Sequence, residues 1–438
     1  MKRWNERWHE KYKKHSLINQ VYEYRNLEEA FKAVKANKGA PGVDGVTIEQ
    51  FEQRLEQNLR EIQRQLRERR YSPQPVKRVY IPKADGGRRP LGIPTVKDRV
   101  VQQALKRVLE PIFERIFLNG SYGYRPGKSA LQAVARAVGI IEQGYWWVVD
   151  ADIKGFFDNV DHEILLDLVN EQVSDGKVLK LIRLFLESGV LNGDAFEETP
   201  TGTPQGGVIS PLLANIMLNH LDRRLGEGGF VLTRFADDFL IHCKTEYDAK
   251  KALERTTEIL EKELHLKLNP EKTAIRMISR GVDFLGYTLS GMSKVVLRPD
   301  QNAMKSFKDT VREKTVRGHT RAIGTTIQNL VPTMRGWGNY FRMTTYVAQM
   351  GKMDSWVRRR LRSCALGKRA TTAANSKYTN AYLERAGLVT LVSLWNERRG
   401  VPLPKRVGGS KGRSRPSSAG MANIRPRAVY GNTVSTVL

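Results

Sequence analysis

Cysteine is nearly absent from this sequence, and histidine is absent from its end. Only Cys243 and Cys364 occur among 438 residues, too few for a disulfide framework or a cysteine-rich zinc site. The last of the seven histidines is His319, so the residues after it cannot build a Cys/His-ligated metal module. These scarcities exclude a small disulfide-bonded secreted domain, and they exclude an appended nuclease of the Cys/His type.

Long apolar runs are missing as well. No stretch of about 18 or more apolar residues predicts a membrane span, and the first ten residues, Met1–Glu10, lack the apolar core of a signal peptide. Together with two unpaired cysteines, this predicts a cytoplasmic protein in a reducing compartment, without a membrane partner.

Acidic residues are scarce in the C-terminal third. The chain has 73 Lys and Arg against 46 Asp and Glu, a net charge of +27. From Gly291 onward it holds 28 of the basic and 6 of the acidic residues, a net of +22 (28 − 6). A nearly neutral body therefore carries a region suited to a polyanion. Residues 401–438, rich in Gly, Ser, Pro and Arg, are predicted to form a basic tail without a core of its own.

Strand-like and helical segments alternate irregularly through the first 290 residues. Apolar runs flanked by turn residues indicate hairpins, and several amphipathic stretches indicate helices between them. Mixed hairpins and helices, rather than strict strand–helix alternation, predict an α+β domain with helices against an antiparallel sheet. From about Phe307 the pattern is helical and basic.

Two adjacent acids stand between apolar strand-like runs at Ala236-Asp237-Asp238. Alone, this pair is better explained as a solvated hairpin turn, because Asp is common in turns. Asp152, however, ends another apolar strand 85 residues upstream (237 − 152). A carboxylate at a strand end opposite a double-acid hairpin is what a site for two divalent cations requires. No Walker loop, Gly-x-Ser-x-Gly elbow or metal-spaced histidine pair offers a rival site.

Several segments carry a family resemblance, in the family's order. They are Ile81-Pro-Lys83, Arg89-Pro-Leu-Gly-Ile-Pro94, Ser121-Tyr-Gly-Tyr-Arg-Pro-Gly127, Asp152-Ile-Lys-Gly-Phe-Phe-Asp158, Thr203-Pro-Gln-Gly-Gly-Val-Ile-Ser-Pro-Leu-Leu-Ala-Asn215, Phe235-Ala-Asp-Asp238, Leu268-Asn-Pro-Glu-Lys-Thr273 and Phe284-Leu-Gly286. Over about residues 25 to 365 the chain resembles group II intron-encoded reverse transcriptases and maturases, in the form that lacks a C-terminal endonuclease domain.

The resemblance implies a right-hand polymerase followed by a helical thumb and maturase domain. The expected divisions are an N-terminal extension and fingers over 1–100, a palm with the remaining fingers segments over 101–290, the helical domain over 291–400 and the tail over 401–438. The implied function is an RNA-directed DNA polymerase that also binds intron RNA, assisting its splicing and its retrohoming by target-primed reverse transcription.

The implied partners are intron RNA, an RNA template with a DNA primer or target DNA, and dNTPs. The implied cofactor is Mg²⁺, as two ions, with Mn²⁺ as a possible substitute. On target DNA the protein is expected at the bacterial nucleoid. The sequence does not give the oligomeric state, the intron class or the DNA target site.

The resemblance also implies roles for individual residues. Asp152, Asp237 and Asp238 would be catalytic and would hold the metal ions together with the carbonyl of Ile153. Phe157 would be the steric gate that excludes a 2′-hydroxyl, which disfavours an RNA-dependent RNA polymerase. The other nucleotide-binding residues would be Lys83, Arg89, Gln205 and Lys272, and the primer grip would be Phe284, Leu285 and Gly286.

The helical region interleaves basic residues with aromatics, as RNA-binding surfaces do. Arg358, Arg359, Arg360 and Arg362 are the candidate RNA-binding residues, whereas most of the nearby aromatics are expected in a helix-bundle core. One departure from the family is Phe235, a position that often holds Tyr.

Two alternative functions remain open. One is a free-standing relative that acts in DNA repair or defence, and its discriminator would be a flanking intron in the DNA. The other is an RNA-binding maturase without polymerase activity, and the intact aspartates count against it.

Overall fold

The computed structural model describes residues 16–82, 87–316, 322–367 and 376–398. Lys83, expected at the triphosphate, and the tail over 401–438 lie outside these ranges. The helices are α1 (Leu17–Val21), α2 (Tyr24–Ala36), α3 (Ile48–Gln53), α4 (Leu55–Arg67), α5 (Val96–Phe113), α6 (Ala130–Ile141), α7 (His162–Asn170), α8 (Gly176–Leu186), α9 (Ser210–Glu227), α10 (Glu246–Glu258), α11 (Gln301–Lys314), α12 (Ile323–Tyr340), α13 (Val347–Leu366), α14 (Asn380–Arg385) and α15 (Leu391–Arg398).

Within the described residues, the strands form three separate sheets. They are β1 (Val76–Pro82), β2 (Arg88–Ile93), β3 (Trp147–Asp152), β4 (Val190–Asn192), β5 (Ala195–Glu197), β6 (Val231–Phe235), β7 (Asp238–Cys243), β8 (Ala274–Met277), β9 (Val282–Phe284), β10 (Tyr287–Ser290) and β11 (Val296–Pro299). The orders are β2-β1-β4-β5, β6-β7-β3-β8 and β11-β10-β9. Every pair of the second sheet is antiparallel, as expected of the palm.

The central sheet β6-β7-β3-β8 separates two buried clusters because successive strand residues face opposite sides. Val149 and Ile241 belong to the cluster that includes residues of α5 and α7 to α10. Val148 and Leu240 belong to the cluster that includes residues of α6, the third sheet and helices α11 to α13. The sheet is therefore buried on both faces, and an acidic residue on it lies beside a core.

The third sheet crosses the expected boundary between palm and helical domain. β10 ends at Ser290 and pairs with β11, which runs to Pro299. The division expected at residues 290 and 291 therefore falls inside a sheet, and the helical part begins with α11 at Gln301. The turn residues between β10 and β11 include Gly291, whose φ of +134° no side-chain-bearing residue adopts easily.

The first hairpin is fixed to the body by a buried carboxyl. Thr95 caps α5 by accepting from the amide of Asp98. The Asp98 carboxylate in turn accepts from the hydroxyl of Tyr71 at 2.5 Å and from the amide of Gln74 at 3.1 Å. These bonds hold the segment that leads into β1, so the hairpin leaves the body in a defined direction. No described helix is long and apolar enough to cross a membrane.

Candidate functional site

Asp152 and Asp238 lie directly opposite each other on neighbouring strands of the central sheet. β3 and β7 pair antiparallel, with Asp152 against Asp238 and Asp150 against Leu240. Residues directly opposite each other point to the same face, and residues two apart on one strand share it too. Asp150, Asp152 and Asp238 therefore project from one face, the face that packs toward α6 and the third sheet.

Asp237 reaches the same region through a tight turn. β6 and β7 are joined by Ala236 and Asp237, because Phe235 pairs with Asp238 across the hairpin. Ala236 has a φ of +59°, an unfavourable left-handed conformation for a residue with a Cβ. Such strain at a functional site persists only where the surroundings hold it.

The Tyr122-Gly123-Tyr124 segment runs beside this turn. The amide of Tyr122 donates to the carbonyl of Arg234 at 2.9 Å, which brings Gly123 level with Ala236. A Cβ on Gly123 would lie 2.2 Å from the Ala236 nitrogen. Only glycine allows this approach, and the turn is therefore in direct backbone contact with its neighbour.

Burial raises the pKa of three carboxyls of the site, those of Asp150, Asp237 and Asp238. The pKa of Asp238 is raised to about 7, first by burial and then by the charges of Asp150, Asp237 and Asp152. Burial and the charge of Asp152 raise the pKa of Asp237, although the charges of Arg89 and Lys272 oppose this. Asp150 has a pKa raised to about 6, mainly by burial. Carboxylates that are desolvated and repel one another form an environment that a divalent cation stabilises.

The carboxylate side chains of the site do not surround a single point in this structure. Among the described residues, no three His, Cys, Asp or Glu side chains are grouped so that they could hold a metal ion as they stand. The Asp152 carboxylate instead lies 3.2 Å from Lys272 Nζ and accepts from the Asn269 side chain at 3.3 Å. The donors still fit Mg²⁺ chemically, because they are carboxylate oxygens with an excess of negative charge.

The carbonyl of Ile153 also faces away from the neighbouring chain segment. Ile153 forms an isolated antiparallel bridge with Leu268. The hydrogen bonds of this bridge use the carbonyl of Asp152 and the amide of Lys154, at 2.8 and 2.9 Å. In such a non-hydrogen-bonded pair the residue's own carbonyl points away from its partner. It could therefore add an oxygen ligand.

Arg89 and Gln205, expected at the nucleotide, are in contact. Arg89 Nε donates to Gln205 Oε1 at 2.9 Å, and Gln205 Nε2 donates to Asp158 Oδ1 at 3.3 Å. The Gln205 backbone is also fixed, since its carbonyl accepts from the amide of Gly92 at 2.6 Å. The first sheet is thus linked to the turn around Gln205.

Phe157 lines a cavity of about 330 Å³ together with Asp158 and Gln205. Its ring is 8% exposed and packs edge-on against Phe156, with centroids 5.2 Å apart. Its carbonyl accepts from the amide of Thr203 at 2.7 Å. A rigid aromatic ring therefore stands at the edge of a cavity of nucleotide dimensions.

The expected primer grip is a two-residue hairpin between β9 and β10. Phe284 pairs with Tyr287, so Leu285 and Gly286 form the turn, with φ of +49° and +78°. Two positive φ values indicate a type I′ turn, in which Leu is strained. The hydroxyl of Tyr340 donates to the Leu285 carbonyl at 2.8 Å. Phe284 is 1% exposed, so its side chain is core.

Three of the four candidate RNA-binding arginines make contacts within the helical domain. Arg362 is 8% exposed and donates to the Tyr378 carbonyl at 2.8 Å. Arg360 donates to the Thr315 carbonyl at 2.8 Å, and Arg358 lies 3.5 Å from Glu384. Arg359 is exposed. The four do not form one surface, because they follow one another around a packed helix.

Sequence patterns missed several residues at the site. Tyr124 is 44% exposed at a φ of +59°, close enough to Asp237 for that charge to raise the pKa of Tyr124, after burial as the main cause. Asn269 orders the Lys272 turn by accepting from the amide of Glu271 at 3.2 Å. The positive φ of Tyr124 has no sequence signal. Asn269, before a proline, does carry the turn signal that could have identified it.

Comparison with known proteins defines the class. Residues 81–289 match the reverse transcriptase (RNA-dependent DNA polymerase) family, and residues 304–382 match the group II intron maturase-specific domain. The first range contains the three aspartates, and the second covers most of the helical region. The fold class, an α+β right-hand polymerase followed by a helical domain, is confirmed.

Relatives extend this match over much of the chain. Protein YkfC of Escherichia coli (strain K12) is 35% identical over 314 residues, covering 62% of this chain and 82% of the relative. The group II intron-encoded protein LtrA of Lactococcus lactis subsp. cremoris is 38% identical over 240 residues, covering 54% of this chain and 36% of LtrA. The chain thus spans about a third of LtrA's length.

Among solved structures, telomerase from Candida albicans matches with a TM-score of 0.43 and 11% identity over 77% of this chain and 65% of that one. The chain in a partial Cas6-RT-Cas1–Cas2 complex matches with a TM-score of 0.37 and 27% identity over 57% and 43%. The family assignment rests on the sequence matches alone: the chain belongs to the group II intron-encoded reverse transcriptases and maturases.

Proposed function

We propose that this chain is an RNA-directed DNA polymerase that also binds intron RNA to assist splicing and retrohoming. The observation that carries the proposal is the placement of Asp152 and Asp238 opposite each other on β3 and β7, with Asp237 on the adjoining turn. This arrangement lies inside the reverse transcriptase match, and a maturase domain follows it.

Asp152, Asp237 and Asp238, with the carbonyl of Ile153, would hold two Mg²⁺ ions. The ions would supply charge neutralisation to the attacking 3′-hydroxyl and the leaving pyrophosphate. The Asp237 and Asp238 carboxylates are suited to the task because burial already disfavours their charged state, which strengthens their preference for a cation. Lys272, now beside Asp152, would turn to the triphosphate when the nucleotide is bound.

The nucleotide would lie against Phe157, between Arg89 and the three aspartates. Arg89 would donate to triphosphate oxygens, and Gln205, which it contacts here, would face the base or template. Lys83, which lies outside the described residues, would add a second cation. Phe157 would lie under the sugar, and its ring would collide with a 2′-hydroxyl, which supports a preference for deoxynucleotides.

The hairpin at Leu285 and Gly286 would contact the primer backbone. The Tyr340 hydrogen bond to Leu285 links this hairpin to α12, so primer contacts and the helical domain would move together. Intron RNA would bind the basic helical region through exposed cations such as Arg359. The same exposed cations support DNA and RNA as partners in the cell.

Primer extension with Asp237→Ala tests the proposal. The purified full chain is given an RNA template, an annealed DNA primer, dNTPs and Mg²⁺, and the intron RNA is tested for splicing in parallel. The wild-type protein should extend the primer, and Asp237→Ala should abolish extension while RNA binding persists. Asp194→Ala, in the exposed turn between β4 and β5, is the matched acidic control. Extension by Asp237→Ala would overturn the site. RNA binding and splicing without extension by the wild type would leave only the maturase function.

A further inference from the structure

An arginine is fully buried beneath the catalytic turn. Arg234, on β6, is 0% exposed and is the largest fully buried side chain of the described residues. Its partner Asp222, on α9, is 2% exposed. Burying a charge is costly unless it is paired and its donors are satisfied, so this position has a specific structural demand.

The guanidinium of Arg234 is satisfied on two sides. Its Nε donates to Asp222 Oδ1 at 2.8 Å, and Nη2 donates to Asp222 Oδ2 at 2.6 Å. Such a bidentate pair fixes the orientation of the planar guanidinium. A buried ion pair is seldom more stabilising than well-packed apolar residues of similar volume. The specific contribution of Arg234 therefore lies with its remaining donor, Nη1.

That remaining donor reaches the catalytic turn. Arg234 Nη1 donates to the carbonyl of Ala236 at 3.0 Å. This carbonyl belongs to the peptide group that joins Ala236 to Asp237. The orientation of that planar group therefore fixes the position of the Asp237 backbone nitrogen. Ala236 itself is strained at a φ of +59°, and the hydrogen bond opposes relaxation of the turn.

The same Nη1 connects the turn to its neighbouring segment. It also donates to Asn215 Oδ1 at 3.0 Å, and Asn215 Nδ2 donates to the Gly123 carbonyl at 2.8 Å. Gly123 is the residue that contacts the Ala236 backbone from the other side. One buried guanidinium thus joins α9, β6, the segment around Gly123 and the catalytic turn.

We propose that Arg234, oriented by Asp222 and Asn215, is a positioning residue that fixes the peptide between Ala236 and Asp237 and so aims the Asp237 carboxylate. Arg234 touches neither substrate nor metal. This inference rests on the proposed polymerase function, whose chemistry needs Asp237 in place.

The test replaces the ion pair without leaving a lone buried charge. The double variant Arg234→Met with Asp222→Leu keeps apolar volume in the core but removes the donor to Ala236. We expect it to fold, to bind RNA with unchanged affinity and to keep its KM for dNTP. We expect kcat to fall on the order of 10²-fold, the effect typical of a misplacement of about 1 Å. The Mg²⁺ concentration for half-maximal rate should rise.

A matched control changes another ion pair of α9. Arg224 follows Asp222 by two residues on the same helix, is partly exposed and lies 2.9 Å from Glu263; none of its described contacts is with the turn. Arg224→Met with Glu263→Gln should leave kcat and the Mg²⁺ dependence at wild-type values. Asn215→Ala, which keeps the Arg234–Asp222 pair, should lower kcat in the same direction, and it tests the idea even if the double variant does not fold.

The outcomes separate the two proposals. If the wild type extends primers and the folded double variant or Asn215→Ala does so with unchanged kcat and Mg²⁺ dependence, the positioning role is wrong. If activity falls only in proportion to the folded fraction measured by circular dichroism, the role is structural and the inference is likewise wrong. If the wild type extends no primer on any template, the proposed function fails, and the inference fails with it.

Discussion

The substitution Gly123→Ala tests how closely the catalytic turn is held. An added Cβ would lie 2.2 Å from the nitrogen and 2.9 Å from the Cα of Ala236. Favourable contacts between carbon atoms need about 3.5–4.0 Å. The two backbones must therefore separate by roughly 1 Å, because no flexible side chain can yield in their place.

The expected magnitude follows from that displacement. Overpacking a close contact costs about 1–3 kcal/mol, so the protein should remain folded with a lower melting temperature. A shift of about 1 Å at Asp237 should lower kcat on the order of 10²-fold, with little change in the KM for dNTP. Steady-state primer extension and thermal melting measure the two effects.

Gly139→Ala is the matched control for this substitution. Gly139 lies in α6, and a Cβ there meets nothing within 4 Å. Because alanine favours a helix by about 1 kcal/mol over glycine, this variant should be at least as stable as the wild type and equally active. A Gly123→Ala protein with wild-type kcat would refute the close backbone contact and the positioning reasoning built on it.

Three further predictions concern the nucleotide, the primer and the helical domain. Phe157→Val should admit ribonucleotides by removing the ring beside the sugar; unchanged selectivity in primer extension with rNTPs would exclude this residue as the gate. Tyr340→Phe removes the donor to Leu285, at a cost of about 0.5–1.5 kcal/mol. The variant should make shorter products in a single-cycle primer-extension assay with a trap. Full-length products would contradict the proposed link between the primer-contacting hairpin and α12. Asp354→Ala removes the acceptor for the amides of Leu391 and Val392, at 2.8 and 3.1 Å. It should destabilise α15 by about 1 kcal/mol, seen as faster hydrogen exchange there, and unchanged exchange would contradict it.

The sequence predicted those parts of the site that short motifs carry. Short sequence patterns predicted Asp152 at the end of a strand, and they predicted Asp237 and Asp238 between two apolar strands. This was possible because strand periodicity and turn residues are properties of a few neighbouring residues. The structure places Asp152 opposite Asp238 with Asp237 on the adjoining turn, and it also joins Arg89 to Gln205. These residues lie 116 positions apart, so only the resemblance could suggest that they meet.

Other features depend on tertiary pairing that no local pattern encodes. Arg234 inside a strand reads as an exposed residue, because its burial depends on Asp222 in a different element. Arg362 was expected at RNA, yet it donates to Tyr378 sixteen residues away. The sheet that runs past Ser290 escaped notice because β11 is only four residues long, and its exposed positions, Val296 and Arg298, do not show a regular alternation of apolar and polar residues.

The two halves of the site differ in how firmly they are held. The turn carrying Asp237 is fixed from one side by Gly123 and from beneath by Arg234, and both contacts are buried. Arg89, which we propose binds the nucleotide, is exposed, and its described partner is Gln205. Because the carboxylates are preorganised, placing charge beside them costs less free energy. Arg89 is less constrained, so its guanidinium can move to the triphosphate when the nucleotide binds. The carboxylates should therefore keep their positions between the free and nucleotide-bound states, and the hairpin bearing Arg89 should complete the site by closing on the nucleotide.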